Sequence, residues 1–163
     1  MESKKNKKNK WKRSERSLNL KAAGVTPKES IILSRKLSEC LIRHCKKELP
    51  NEACGFISGR NNICSEIWPT TNVNPSPFTF AIDVNEERMI SHEIKKRNED
   101  LIAVYHSHPN GMAIPSKDDI LFAPDSSIYY FILSISLSNA EIKCYRITKG
   151  YALEVEVVQR ELF

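Results

Sequence analysis

No apolar run in this chain approaches the roughly 20 residues needed to cross a bilayer, which argues against a transmembrane helix. No apolar segment follows the lysine-rich start, so that start does not read as a secretory signal peptide, and the expected location is cytoplasmic. Short CxxC pairs are absent too. The five cysteines, Cys40, Cys45, Cys54, Cys64 and Cys144, are odd in number. In a reducing compartment they are expected as free thiols acting as small buried hydrophobes. Cys40, His44 and Cys45 invite a metal reading, but on a helix Cys40 and His44 share a face while Cys45 points elsewhere. There is no internal repeat and no second core. What is present suits one domain: 163 residues, 40% of them apolar, enough to bury a core.

The net charge of +5 is unevenly placed. Residues 1–21 hold nine Lys or Arg against two Asp or Glu, whereas the remaining 142 residues hold 16 against 18. Like charges repel and apolar groups are few at the start, so residues 1–24 are expected as a disordered basic tail and 25–163 as the folded domain. Such a tail attracts nucleic acid or an acidic partner, or serves only as a solubilising segment.

Along the body, Ile32, Leu33, Leu37, Leu41, Ile42 and Cys45 recur at helical spacing and predict a helix from about Glu29 to Lys47, stopped by Pro50. "ACGFISG" predicts a buried strand in which Gly55 and Gly59 permit close backbone approach. "NICSEIWPT" predicts its hairpin partner after the "GRNN" turn. "NPSPFTFAID" reads as a Pro-rich loop leading into an extended segment, followed by a helix from about Asn85 to Lys96. "DLIAVYHSH" is nearly continuous in apolar residues, as in a strand covered on both faces. "SKDDILFA" predicts a short helix, and "SIYYFILSIS", "EIKCYRITKG" and "YALEVEVVQRE" predict three more strands. The order predicts a mixed α/β domain around one sheet.

The stretch "YHSHPNGMAIPSKDD" carries chemistry. Residues two apart on a strand point to the same side, so His106 and His108 present both imidazoles to one point. Ser116 stands where a helix N-cap is expected, and Asp119 follows three residues later, where the positive helix end favours its ionised form. Two imidazoles and one carboxylate are the usual protein ligands of a catalytic zinc, which keeps a fourth position for water. Taken singly, an H-x-H pair at a strand end is more often a polar turn, and a Ser three residues before an Asp is an ordinary cap. The complete pattern arises by chance in roughly one chain of this length in a few thousand, which makes coincidence the poorer explanation. Asp118 could compete as ligand, but it lies about 100° around the helix and should face solvent.

Here the sequence resembles a known family. "HSHPNGMAIPSKDD" matches the JAMM (MPN+) metallopeptidase motif at every defining position, and "PNEACGFISG" matches the upstream glutamate segment of its bacterial members. The likeness extends more loosely over about residues 30–160, including "FTFAID", and leaves out the basic tail. It implies a cytidine-deaminase-like α/β/α sandwich around one mixed sheet. It implies one Zn2+ per chain held by His106, His108 and Asp119, with Glu52 holding the water and acting as general base. No defining residue is missing, which argues against the family's inactive scaffold members. Ser116 could donate its hydroxyl to a developing oxyanion; the alternative is the N-cap alone, and the two roles are compatible. Ser107 alternates to the opposite face and is assigned no catalytic role.

The resemblance further implies an amide substrate, usually the bond after the C-terminal Gly-Gly of ubiquitin or a ubiquitin-like protein, cleaved by a deubiquitinase-like isopeptidase. Such a tail would lie extended and add to a sheet edge near the metal. The short chain lacks the insertions that confer linkage choice on larger relatives, which fits a compact bacterial-type enzyme. Sulfur-carrier processing and antiviral deconjugation are both compatible settings. A different class is also open: the family's DNA-repair-associated branch shares H-x-H-P-x-G before P-S-x-x-D, and the basic tail would then bind nucleic acid. "NEACGFISG" favours the peptidase branch.

Overall fold

A computed structural model describes residues 28–123, 125–148 and 150–161. The tail expected over residues 1–24, with the domain start at residue 25, lies outside them. The first described element corrects the predicted helix from Glu29. Ser30–Leu33 is a strand, β1, and the helix α1 spans Arg35–Lys47. Ile31 and Leu33 are wholly buried, and β1 pairs in parallel with the last strand of the chain, Ile31 opposite Val157. Two consecutive isoleucines suit a strand, and the apolar positions there fit a period of 2 as well as one of 3.6. Ser34 is the N-cap, its hydroxyl accepting from the Leu37 amide at 3.2 Å.

The remaining elements follow the predicted order. β2 is Cys54–Arg60 and β3 is Ile63–Thr70, joined by a tight turn in which Asn61 and Asn62 both have positive φ. Asparagine tolerates that conformation, which matches the strand twist in two-residue hairpins. α2 is Val84–Lys96, β4 Asp100–Pro109 and α3 Lys117–Leu121; β5 is Tyr129–Ile135, β6 Ala140–Thr148 and β7 Tyr151–Gln159. The "NPSPFTFAID" segment is not a strand; it folds as an irregular loop between β3 and α2.

The seven strands form one mixed sheet in the order β3-β2-β4-β5-β6-β7, and β1 closes it by pairing with β7 and, at Ile32, with β3. The β4–β5 pair and both β1 pairs are parallel, and the others are antiparallel. The chain is thus a mixed α/β domain with one sheet and three helices among the described residues. One apolar cluster lies under α1, where Leu41 and Cys45 meet Ile31, Ile57, Phe131 and Leu133. A second, smaller one gathers Ala113, Ile128, Tyr130, Ile132, Tyr145 and Ile147, with Ile120 of α3 against it. β4 runs between the two, which explains its near-continuous apolar character. Gly55 is required where β2 crosses β4: an added Cβ would lie 2.5 Å from the Trp68 carbonyl oxygen and 2.6 Å from the Tyr105 ring.

Candidate metal centre

His106 and His108 stand near the C-terminal end of β4, which is paired on both sides, by β2 and β5. Cys54 lies opposite His106 on β2, and this register brings Glu52, just before β2, to the same end of the sheet. After Pro109 the chain turns back and enters α3 at Ser116. There a reciprocal capping box forms: the Asp119 amide donates to Ser116 Oγ at 3.1 Å, and the Ser116 amide donates to Asp119 Oδ2 at 2.7 Å. The box fixes the Asp119 carboxylate facing the histidines.

His106, His108 and Asp119 converge. Their Nε2 atoms are 3.0 Å apart, and each is 3.2 Å from one carboxylate oxygen of Asp119. His108 Nδ1 lies 2.8 Å from the Met112 carbonyl. A neutral His108 spends its ring N–H there, which leaves a lone pair on Nε2. Phe80 stacks on the His106 ring, 4.7 Å between centroids, and limits its rotation. Asp118 is exposed, as expected for the residue off the ligand face.

The electrostatics agree with this geometry. Burial pushes the His106 pKa down and keeps that ring neutral. Burial opposes the charge on Asp119, but hydrogen bonds with His106 and His108 outweigh it and hold the carboxyl well below the usual range. For His108 burial lowers the pKa, yet the bonds to Asp119 and to the Met112 carbonyl raise it overall. With both rings neutral and their Nε2 lone pairs turned inward, three acceptors meet at one point. A proton between two of them leaves the third unsatisfied, whereas a cation satisfies all three. Two imidazole nitrogens and a carboxylate oxygen suit zinc, and separations of 3.0–3.2 Å are close to the edge, about 3.3 Å, of a tetrahedron with 2.0–2.1 Å arms.

Glu52 is buried as a residue beside the triad; its carboxylate makes no hydrogen bond among the described residues, and its oxygens keep some access to solvent. Burial pushes its pKa up to about 7; a charged His108 pulls it back and Asp119 adds to the rise. Ser116 and Asp119 line, with His106, a cleft of about 580 Å³ whose walls include Phe56, Phe78 and Phe122.

The Cys40–His44–Cys45 grouping does not converge on a metal position. His44 Nδ1 instead lies 2.9 Å from the Tyr105 hydroxyl, and burial raises the Cys45 thiol to about 12. Two residues at the centre carried no signal of their contribution in the sequence. Ser107 does face away from the ligands, but its hydroxyl accepts from the Ala53 amide at 2.8 Å, and its own amide donates to the Ala53 carbonyl at 3.0 Å. The residue between the two histidines thereby holds the residue after Glu52. Asn72 binds the Glu52 carbonyl from the other side, at 3.0 Å.

Comparison with known proteins agrees with the motif. A family model described as prokaryotic homologs of the JAB domain matches residues 34–148. The CysO-cysteine peptidase of Mycobacterium tuberculosis is 27% identical over 135 residues, 80% of this chain and 92% of the relative. The "Probable TtuB-protein conjugate cleaving protease" of Thermus thermophilus is 34% identical over 91 residues, 55% of this chain and 61% of the relative. The solution structure of protein DSY2949 from Desulfitobacterium hafniense superposes with a TM-score of 0.75 at 31% identity, covering 81% of this chain and 94% of that one.

Proposed function

The chain belongs to the prokaryotic JAB-domain family, the bacterial JAMM/MPN proteins, and on that premise we propose that it is a zinc-dependent peptidase or isopeptidase. Its substrate is the amide bond after the C-terminal tail of a ubiquitin-like protein, in a conjugate or a precursor. The observation that carries this reading is the convergence of the His106, His108 and Asp119 ligand atoms beside the largely buried Glu52. The names of the CysO-cysteine peptidase and of the TtuB-conjugate protease support the substrate class. The finer layering as a cytidine-deaminase-like sandwich belongs to the same proposal.

His106 Nε2, His108 Nε2 and Asp119 would hold the zinc. When bound, zinc supplies Lewis acidity, lowering the pKa of a water toward about 7 and polarising a carbonyl. Glu52 takes the proton of the attacking water and returns it to the departing amine. The ligand carboxylate of Asp119 is not free for this. Ser116 Oγ already accepts from the Asp119 amide, so its own hydrogen is free to turn toward the substrate oxygen as charge develops. The cleft beside the triad receives the extended tail, and glycines before the scissile bond suit a passage walled by Phe80 and His106.

Glu52→Gln tests the reading. Gln keeps the shape and cannot accept the proton. Cleavage of Gly-Gly-tailed ubiquitin-like fusions should fall by about 10² to 10⁴, roughly 3 to 5.5 kcal/mol of barrier, with zinc still near one per chain. Turnover within a few-fold of wild type would rule out Glu52 as the base.

A further inference from the structure

Asn72 opens the irregular loop between β3 and α2, and its buried side chain uses all of its hydrogen-bonding capacity. Nδ2 donates to the carbonyls of Glu52 at 3.0 Å and Thr79 at 3.1 Å. Oδ1 accepts from the amides of Asn74 at 3.0 Å and Ala81 at 3.1 Å. The loop folds back on itself here, with the Val73 amide bound to the Ala81 carbonyl at 2.9 Å. Its tip returns to the same place, because the Glu52 amide donates to the Ser76 carbonyl at 2.8 Å. One amide thus joins three things: the backbone of Glu52, both arms of the loop, and through the loop Phe80, which stacks on His106.

We propose that Asn72 is a positioning residue: its amide holds the Glu52 backbone against the 71–82 loop and so sets where the Glu52 carboxylate stands relative to His106, His108 and Asp119. This rests on Glu52 being the proton acceptor of the proposed reaction. The main chain of Glu52 is then held on two sides, by Asn72 at its carbonyl and by Ser107 at the next residue. The carboxylate itself has no hydrogen bond to steady it, so its position depends on that backbone. Small displacements of a reacting group are costly to catalysis.

Asn72→Ala is combined with Glu52→Gln in a double-mutant cycle. In the wild-type background Asn72→Ala should lower kcat by about 10- to 100-fold with KM nearly unchanged. In the Glu52→Gln background it should change the residual rate by no more than about twofold, because a residue acting through Glu52 has nothing left to position. A purely structural residue would cost the same in both backgrounds, and that result would overturn the proposal. Hydrogen exchange on metal-free protein adds a readout without turnover. Exchange of the Glu52 amide, which binds the loop tip, should quicken at least about tenfold in Asn72→Ala. An unchanged rate would overturn the proposal as well. Should Asn72→Ala not fold, Asn72→Asp replaces it. That variant keeps both acceptor bonds to the loop and loses the donor to Glu52. A wild-type protein that cleaves no Gly-Gly fusion removes the reading of Glu52 and this inference with it. Wild-type cleavage with equal losses in both backgrounds removes this inference alone.

Discussion

Two polar clusters stand on this sheet, and their donor balance differs. At one, Arg146 donates to Glu29 at 3.0 Å and to the Ser127 carbonyl, packs over the Tyr129 ring at 3.7 Å, and the Tyr129 hydroxyl also donates to Glu29. Cation meets anion, and Glu29 Oε1 and the Ser127 carbonyl each have protein donors. At the other, His106, His108 and Asp119 turn three acceptors on one point. The first cluster is held together by protein donors, whereas the second, on the proposed reading, is completed by a cation. Donor balance, more than burial or charge count, separates a structural polar cluster from a site.

The largest expected effect tests that contrast directly. His106→Ala or Asp119→Ala should abolish zinc retention after dialysis and lower cleavage by more than about 10⁴. Arg146→Ala should leave zinc content and kcat at wild-type values and cost about 1 kcal/mol of stability, since its ion pair with Glu29 is partly open to water. Metal analysis and thermal melts decide it. Full zinc occupancy in both ligand variants would show that the acceptor cluster is not the site.

Ser107 sharpens the comparison from within β4, where consecutive residues face the two sides. His106 and His108 face the acceptor cluster, while Ser107 faces a completed one. Ser107→Ala leaves the buried Ala53 amide without its acceptor and should destabilise the fold by about 1 to 3 kcal/mol. Ser107→Thr, which restores a hydroxyl, should recover part of that. Urea denaturation with equal midpoints for wild type and Ser107→Ala would show that the bond contributes nothing.

The convergence of His106, His108 and Asp119 was legible in the sequence because its geometry is local. Residues two apart on a strand and three apart in a capping box fix their side chains without reference to the rest of the chain. The hairpin at Asn61 and Asn62 was legible for the same reason. β1 was not, because Ile31, Ile32 and Leu33 satisfy both periods, and its strand state depends on β7, more than 120 residues away. Closure of the sheet follows from that same distant pairing. Asn72 was hidden differently. Its partners are main-chain atoms of Glu52, Thr79, Asn74 and Ala81, and a bond to a backbone carbonyl leaves no mark on the partner's side chain. Glu52 was visible only by family resemblance, since one glutamate before a strand says little about burial.

The smallest effect concerns Glu52, which belongs to neither kind of cluster: a largely buried acid whose carboxylate makes no protein hydrogen bond. Burial raises its pKa to about 7, and a bound cation would reverse that, so the metal-free protein is the one to titrate. A raised carboxyl means that the folded state binds the proton more tightly than the unfolded chain. The stability it contributes is fully present below the unfolded value of 4.5 and is lost as pH rises through about 7. The full shift would correspond to roughly 3 kcal/mol, and access of cleft water reduces the expected loss to about 1 to 2 kcal/mol. Glu52→Gln removes this group and leaves the histidines and Asp119 in both proteins. The difference in unfolding free energy, variant minus wild type, should therefore climb in favour of the variant between pH 5 and 8. Denaturant curves at a series of pH values measure it. A difference that stays level across that range would mean the Glu52 carboxyl is solvated like any surface acid, and the buried base would lose its physical footing.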